Sequence, residues 1–251
     1  MPFERHDGSP LDALRLDQRP PDGFRFDLVE GFAYVDPVTG DRLTVPGAGE
    51  ASGLRGSDLA SVPTALWSFI ASYGRQSAPA LLHDHRSLVA SELARTDRPA
   101  ALAQRRRDDR VFRTALREQR VPLLRAWLMW AWVSADRERE FNGWLGRLFL
   151  LQGILGALAV VAAVVLAWWS PWWLLLAAVP AVAAAAWGRL APLQLVLAYG
   201  TGLLGPLVIG QVVLLLPFRL VEALVELVTG GDPGGVVRPT VAGSGEDQGL
   251  P

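Results

Sequence analysis

From Leu148 to Gly188 the chain carries no charged residue, and after Arg189 none appears until Arg219. All but eight of its charged residues precede Leu148. A chain of 251 residues with a net charge of −1, 51% hydrophobic and 20% charged, is unremarkable on average. The average conceals two halves of different character. That split excludes a simple soluble globular protein. It also excludes disorder over most of the chain, because disorder needs low hydrophobicity.

The apolar half divides into segments. Leu148 to Trp168 is one apolar run, and about 21 residues at ~1.5 Å each cross a hydrocarbon core of about 30 Å. Trp168, Trp169, Trp172 and Trp173 bracket Ser170-Pro171. Indole rings favour the headgroup layer, so a short turn at the membrane surface is expected there. Trp172 to Gly188 returns across, slightly short, with Pro180 as a kink. Leu193 to Leu216 forms a third span, interrupted near Gly200, Gly202 and Gly205-Pro206. A re-entrant third segment would leave the C-terminus on the starting side. Phe218 to Val228 places Arg219, Glu222 and Glu226 on one side and Leu220, Leu224 and Leu227 on another, as an interfacial helix does. Residues 230–251 are rich in Gly, Pro and Asp and read as a disordered tail.

The charged half reads differently. Residues 1–22 are a polar, Pro-rich flexible arm. No basic segment followed by an apolar one occurs in the first 30 residues, so no cleavable signal peptide is expected. Phe24 to Leu28, Phe32 to Val35 and Arg42 to Val45 alternate as short strands, joined by Glu30-Gly31 and Asp36–Asp41, and predict a small antiparallel meander. Ser61 with Pro63 predicts a helix to about Ser72. Further helices are predicted over Pro79–Arg95, from Pro99 with Val111, Phe112, Ala115 and Leu116 on one face, and from Pro122 with Leu123, Trp127, Trp130 and Ser134 along one side. The fold class is therefore a soluble α+β domain over residues 23–140, followed by an all-α transmembrane bundle over residues 148–217.

Arginine orients the bundle. Arg137, Arg139 and Arg147 precede the first span, Arg189 lies between the second and third, and the Trp turn is uncharged. The positive-inside rule puts the N-terminal domain in the cytosol, in a multi-pass protein of the inner membrane. No ionisable residue lies within a span, which argues against an ion-coupled transporter. Gly153 with Ala157, and Ala181 with Ala185, are small-residue spacings that permit close helix contact, within the chain or in a homo-oligomer.

All 24 basic residues are arginine, and there is no cysteine. A lysine Schiff base, a phosphate-loop lysine, a thiolate metal site and a disulfide are thereby excluded. The remaining chemistry sits on Asp58, Ser61, His83, Asp84 and Asp109. A histidine with several aspartates on separate elements can hold a divalent metal beside an activated water. Asp58, His83, Asp84 and Asp109 are the ligand candidates, with Ser61 as a hydrogen-bond partner. The competing reading is a buried polar network that holds the fold. His85, two residues from His83 on one helix, points away and is left out. A Ser61/His83/Asp109 triad lacks the nucleophile-elbow pattern. No motif for another cofactor occurs.

Between Arg95 and Arg125 stand ten arginines against four acids. Arg105, Arg106, Arg107, Arg110, Arg113 and Arg117 form a basic patch suited to anionic lipid headgroups, or to a solvated helix face. Without interleaved aromatics, a nucleic-acid partner is not expected.

The order Val45-Pro46, Ser57-Asp58-Leu59-Ala60-Ser61-Val62-Pro63, Trp67, Tyr73-Gly74, Leu82-His83-Asp84, Asp109-Arg110-Val111-Phe112 and Trp130 resembles the bacterial and phage family named domain of unknown function 1353, over residues 24–135. Ser57 stands where that family usually has Thr, Asp108 where it has a small residue, and His85 where it has an aromatic. The resemblance implies a fold but no activity. Two functions remain in view. One is a membrane-tethered interaction module with lipids or a protein as partner. The other is a membrane-anchored metal-dependent hydrolase. A pore formed by oligomerised spans is a third, weaker reading.

Overall fold

A computed structural model describes residues 2–19, 25–60, 62, 66, 69–71, 73–231, 233 and 236. Most of the helix expected from Ser61 to Ser72 and most of the tail expected over 230–251 lie outside the described residues. The chain divides into two compact units, Met1–His85 with Gln211–Pro251, and Arg86–Gly210. The division falls within the segment expected to be one domain, 23–140.

The first unit contains five short strands: β1 (Phe3–Glu4), β2 (Leu16–Gln18), β3 (Phe26–Leu28), β4 (Phe32–Val35) and β5 (Arg42–Val45). β4 and β5 form the expected hairpin, with Phe32 opposite Val45 and Tyr34 opposite Leu43. Its turn is closed by Asp36, which accepts from the Val38 amide at 3.1 Å and the Thr39 hydroxyl at 2.9 Å. The meander differs from expectation beyond that hairpin. β1 occupies the other edge of β4, and β3 pairs with β2 in a separate two-stranded ladder. Residues 1–22, read as a flexible arm, supply both extra strands. Phe3 docks β1 onto β4: its ring is 1% exposed and packs 5.7 Å from Phe32 and 4.9 Å from Tyr34. Burying one aromatic side chain contributes ~2 kcal/mol, which offsets part of the entropy of ordering β1.

The helices follow sequence punctuation closely. α1 spans Ser77–Leu93 and α2 spans Arg98–Glu118. Asp97 caps α2 by accepting from the Ala100 amide at 2.9 Å, and Pro99 sits in its first turn. The expected apolar face of α2 is buried at Val111, Phe112, Ala115 and Leu116. α3 covers Leu123–Phe141 directly after Pro122.

In the second unit α4 (Gly143–Leu166) meets a return segment built in three pieces. These are a 3-10 helix over Pro171–Ala178, α5 over Val179–Ala184, and a second 3-10 stretch over Ala185–Leu190. Gly188, with φ of 54° and ψ of −113°, breaks that stretch in a conformation glycine alone adopts freely. α6 then runs from Ala191 to Thr229. Two expectations fail here. The helix continues through Gly200, Gly202 and Gly205-Pro206, and Phe218–Val228 is its continuation, not a separate helix. Pro206 loses no more than one internal hydrogen bond, and the Leu-rich sequence on both sides restores the helix.

Close approach explains Gly156 of α4 and Gly202 of α6. A side chain on Gly156 would meet Ala198 at 2.9 Å and Pro180 at 3.2 Å, and one on Gly202 would meet Val160 at 2.9 Å. Gly153 and Ala157 are buried in the same seam, whereas Ala181 and Ala185 are exposed. Ala131, Ala135, Phe149, Leu193 and Leu197 knit α3, α4 and α6 into one core. Within it the Gln194 amide donates to the Phe149 carbonyl at 3.1 Å, and the Tyr199 hydroxyl holds the return segment at the Ala177 carbonyl.

Among the described residues, two helical runs are long and apolar enough to cross a membrane, Gly143–Leu166 and Pro171–Thr229. The second contains the Gly188 break, so it holds both the second and third apolar segments of the sequence.

Candidate functional site

The motif loop and α1 meet in the first unit. Leu28 and Phe26 anchor the loop through backbone bonds to Leu54 and Ser57. The Gly56 amide donates to Asp27 at 2.8 Å, and the Arg25 guanidinium reaches the Gly56 carbonyl at 2.8 Å. Ser57 is thereby held facing α1, where its hydroxyl donates to Asp84 at 2.5 Å and accepts the Leu59 amide at 3.0 Å. Leu59 takes a φ of 63°, a left-handed conformation that branched side chains rarely adopt. The strained residue lies between Asp58 and Ala60, in the middle of the motif. His83 and His85 are both buried, each 8% exposed, and the helical phase of α1 sends them to different sides. Ser61 lies outside the described residues.

Asp109 belongs to a second polar cluster, within the Arg86–Gly210 unit. It accepts from the Ser134 hydroxyl at 3.1 Å and from the Arg137 guanidinium, all three side chains being shut off from water. Arg137 turns its other donors to Glu138, at 2.8 and 3.0 Å, and Glu138 in turn accepts from Asn142. One buried cation thus bridges two carboxylates, and the chain of bonds links α2, α3 and the start of α4. Nearby on α2, Asp108 pairs with Arg86 at 3.1 Å, and Arg105 is bound to Ser87.

Among the described residues no group of three or more His, Asp or Glu side chains is placed to hold a metal ion. Asp58, His83 and Asp84 belong to the first unit and Asp109 to the second. Asp84 serves Ser57, and Asp109 serves Arg137 and Ser134. Sequence reading missed Ser134, Arg137 and Glu138 as a set. The signal was present: they extend the side of α3 that begins at Leu123, Trp127 and Trp130, at spacings of three and four.

The basic patch is not one surface. Arg105 is 5% exposed and bound inward, while Arg106, Arg107 and Arg117 face solvent. Arg113 lies over the rings of Trp127 and Trp130, 4.4 and 4.8 Å from their centroids. Burial, and then the neighbouring charge of Arg110, lower its pKa below the usual arginine value. The π faces offset part of that cost.

Residues 26–133 match the family model described as Protein of unknown function (DUF1353). No curated protein and no solved structure matches the chain. The family match covers the motif loop, α1, α2 and most of α3, and stops before α4. From its motif residues and from this match, the chain carries a DUF1353 domain over residues 26–133.

Proposed function

We propose that the chain is an integral membrane protein whose DUF1353 segment works as an interaction module tethered at the cytosolic face. One observation carries this reading: the long apolar helices are not covered by protein. The most apolar window of Gly143–Leu166 is 33% buried, and that of Pro171–Thr229 is 0% buried. The core helix of a soluble protein is mostly buried, and contiguous apolar surface on this scale marks contact with lipid or partner. The Trp turn adds to it, since Trp168 and Trp169 are 90% and 73% exposed between the two runs.

The break at Gly188 divides the second run, which supports three crossings. Arg139 before α4, Arg147 near the start of α4, and Arg189 after the break then fall on one side, the cytosolic one. Arg137 drops out of that argument because it is spent on buried carboxylates. The exposed Arg106, Arg107 and Arg117 suit anionic headgroups at the same face.

Alkaline carbonate extraction tests the embedding: the chain should stay in the membrane pellet, and release into the supernatant would refute it. Reporters fused after Gly31 and after Ser170 test the orientation. The first should read as cytosolic and the second as exported. The reverse pattern would invert the topology.

A further inference from the structure

At the corner where α3 hands over to α4, a cavity of about 590 Å³ opens to the surface. Its lining divides by chemistry: Arg139, Glu140 and Arg147 at one end, Leu150, Leu151 and Ile154 at the other. Arg147, Leu150, Leu151 and Ile154 follow one another at positions i, i+3, i+4 and i+7 of α4, so they share one face of that helix. The apolar run of the sequence starts at Leu148, so the charged end sits where a headgroup layer would begin.

The charges are partly committed. Arg139 is held by Asp136 at 2.7 Å. Arg147 makes no hydrogen bond or ion pair among the described residues, and neither does the Glu140 side chain. Glu140 is fixed through its backbone, whose carbonyl accepts from Arg98. A free cation and a free anion therefore stand beside one apolar wall, on which Leu151 and Ile154 remain 50% and 56% exposed.

The geometry points to a binding site for a single phospholipid whose headgroup carries both a phosphate and an ammonium. Arg147, with Arg139, takes the phosphate through charge-assisted hydrogen bonds. Glu140 takes the ammonium. Leu150, Leu151 and Ile154 receive the first part of an acyl chain, running along α4 as a lipid tail runs along the membrane normal. A singly anionic headgroup without an amine would leave Glu140 facing negative charge. The site rests on the membrane reading above and adds a specific lipid to it.

Native mass spectrometry of the full chain in detergent, offered equimolar phosphatidylethanolamine and phosphatidylglycerol, tests the site. The unaltered chain should retain one phosphatidylethanolamine in preference. Arg147→Gln should lower retention by about tenfold, the loss of roughly one charge-assisted bond. Glu140→Gln should bring the two lipids to parity, and Arg189→Gln should change nothing. Equal retention by Arg147→Gln and the unaltered chain overturns the site. So does retention of phosphatidylglycerol by the unaltered chain as readily as the amine lipid. A chain that survives carbonate extraction yet holds no lipid refutes this site alone. One released by carbonate refutes the membrane reading as well.

Discussion

Arg137 on α3 donates to Asp109 on α2 at a place where neither side chain meets water. Such a pair is weak evidence of net stability but strong evidence of dependence on the arginine, because loss of Arg137 leaves Asp109 and Glu138 buried without their cation.

Arg137→Ala should destabilise the chain by about 3–5 kcal/mol, because it leaves Asp109 and Glu138 buried without their cation, whereas Asp109→Ala should cost less, since Arg137 keeps Glu138. The double variant should lose less than the sum of the two, since Asp109 no longer stands unpaired in it. Thermal unfolding of the full chain in detergent reads the cycle, and additive losses would show that the two side chains act independently.

Ser57→Ala should cost about 1–2 kcal/mol, by removing one bond to Asp84 and the acceptor of the Leu59 amide. Hydrogen exchange gives the sharper test. The Leu59 amide should exchange faster in the variant, with the β4–β5 amides unchanged. Unchanged protection at Leu59 would mean that the left-handed turn does not depend on Ser57.

Arg113→Ala should lower stability by about 1 kcal/mol and shift the fluorescence of Trp127 and Trp130, whose rings lose a stacked cation. Arg113→Lys should retain part of both effects. A stability gain in Arg113→Ala would show that the cost of burying the guanidinium outweighs its contacts with the rings.

Gly156→Val should separate α4 from α5 and α6, since its new Cβ alone would stand 2.9 Å from Ala198. Overpacking of this kind costs about 1–3 kcal/mol. Gly210→Ala, where nothing lies within 4 Å, should instead stabilise α6 by up to about 1 kcal/mol. Comparable losses in both variants would remove the seam as the reason for these glycines.

Dialysis against a chelator should leave the melting temperature of the chain unchanged, because the described carboxylates and histidines form no ligand group. A fall of several degrees, restored by one divalent ion, would return Asp58, His83, Asp84 and Asp109 to consideration as a metal site.

The helices were legible because their signals are local. Asp97 with Pro99, and Pro122, mark starts that depend on backbone donors within one turn. β4, β5 and the Asp36 turn were legible for the same reason. The pairing of β1 with β4 was not, because it depends on one distant burial, that of Phe3 against Phe32 and Tyr34. Glycine misled in both directions. Gly200, Gly202 and Gly205 look like a break, yet Gly202 serves a helix contact and α6 continues. Gly188 looks like a terminus and is the one true interruption. Sequence order says nothing about which carboxylate meets which partner. Asp84 went to a serine and Asp109 to an arginine that had been read as a topological flank.

The 3-10 form of the return segment has a consequence for length. A 3-10 helix rises about 2.0 Å per residue and an α-helix about 1.5 Å. The segment from Pro171 to Trp187 would reach only about 25 Å as α-helix, short of a hydrocarbon core of about 30 Å. With Pro171–Ala178 and the stretch after α5 drawn out in 3-10 form, it reaches about 31 Å. On the proposed three-crossing topology, this segment would match the bilayer's thickness by stretching a short helix, where other spans tilt a long one.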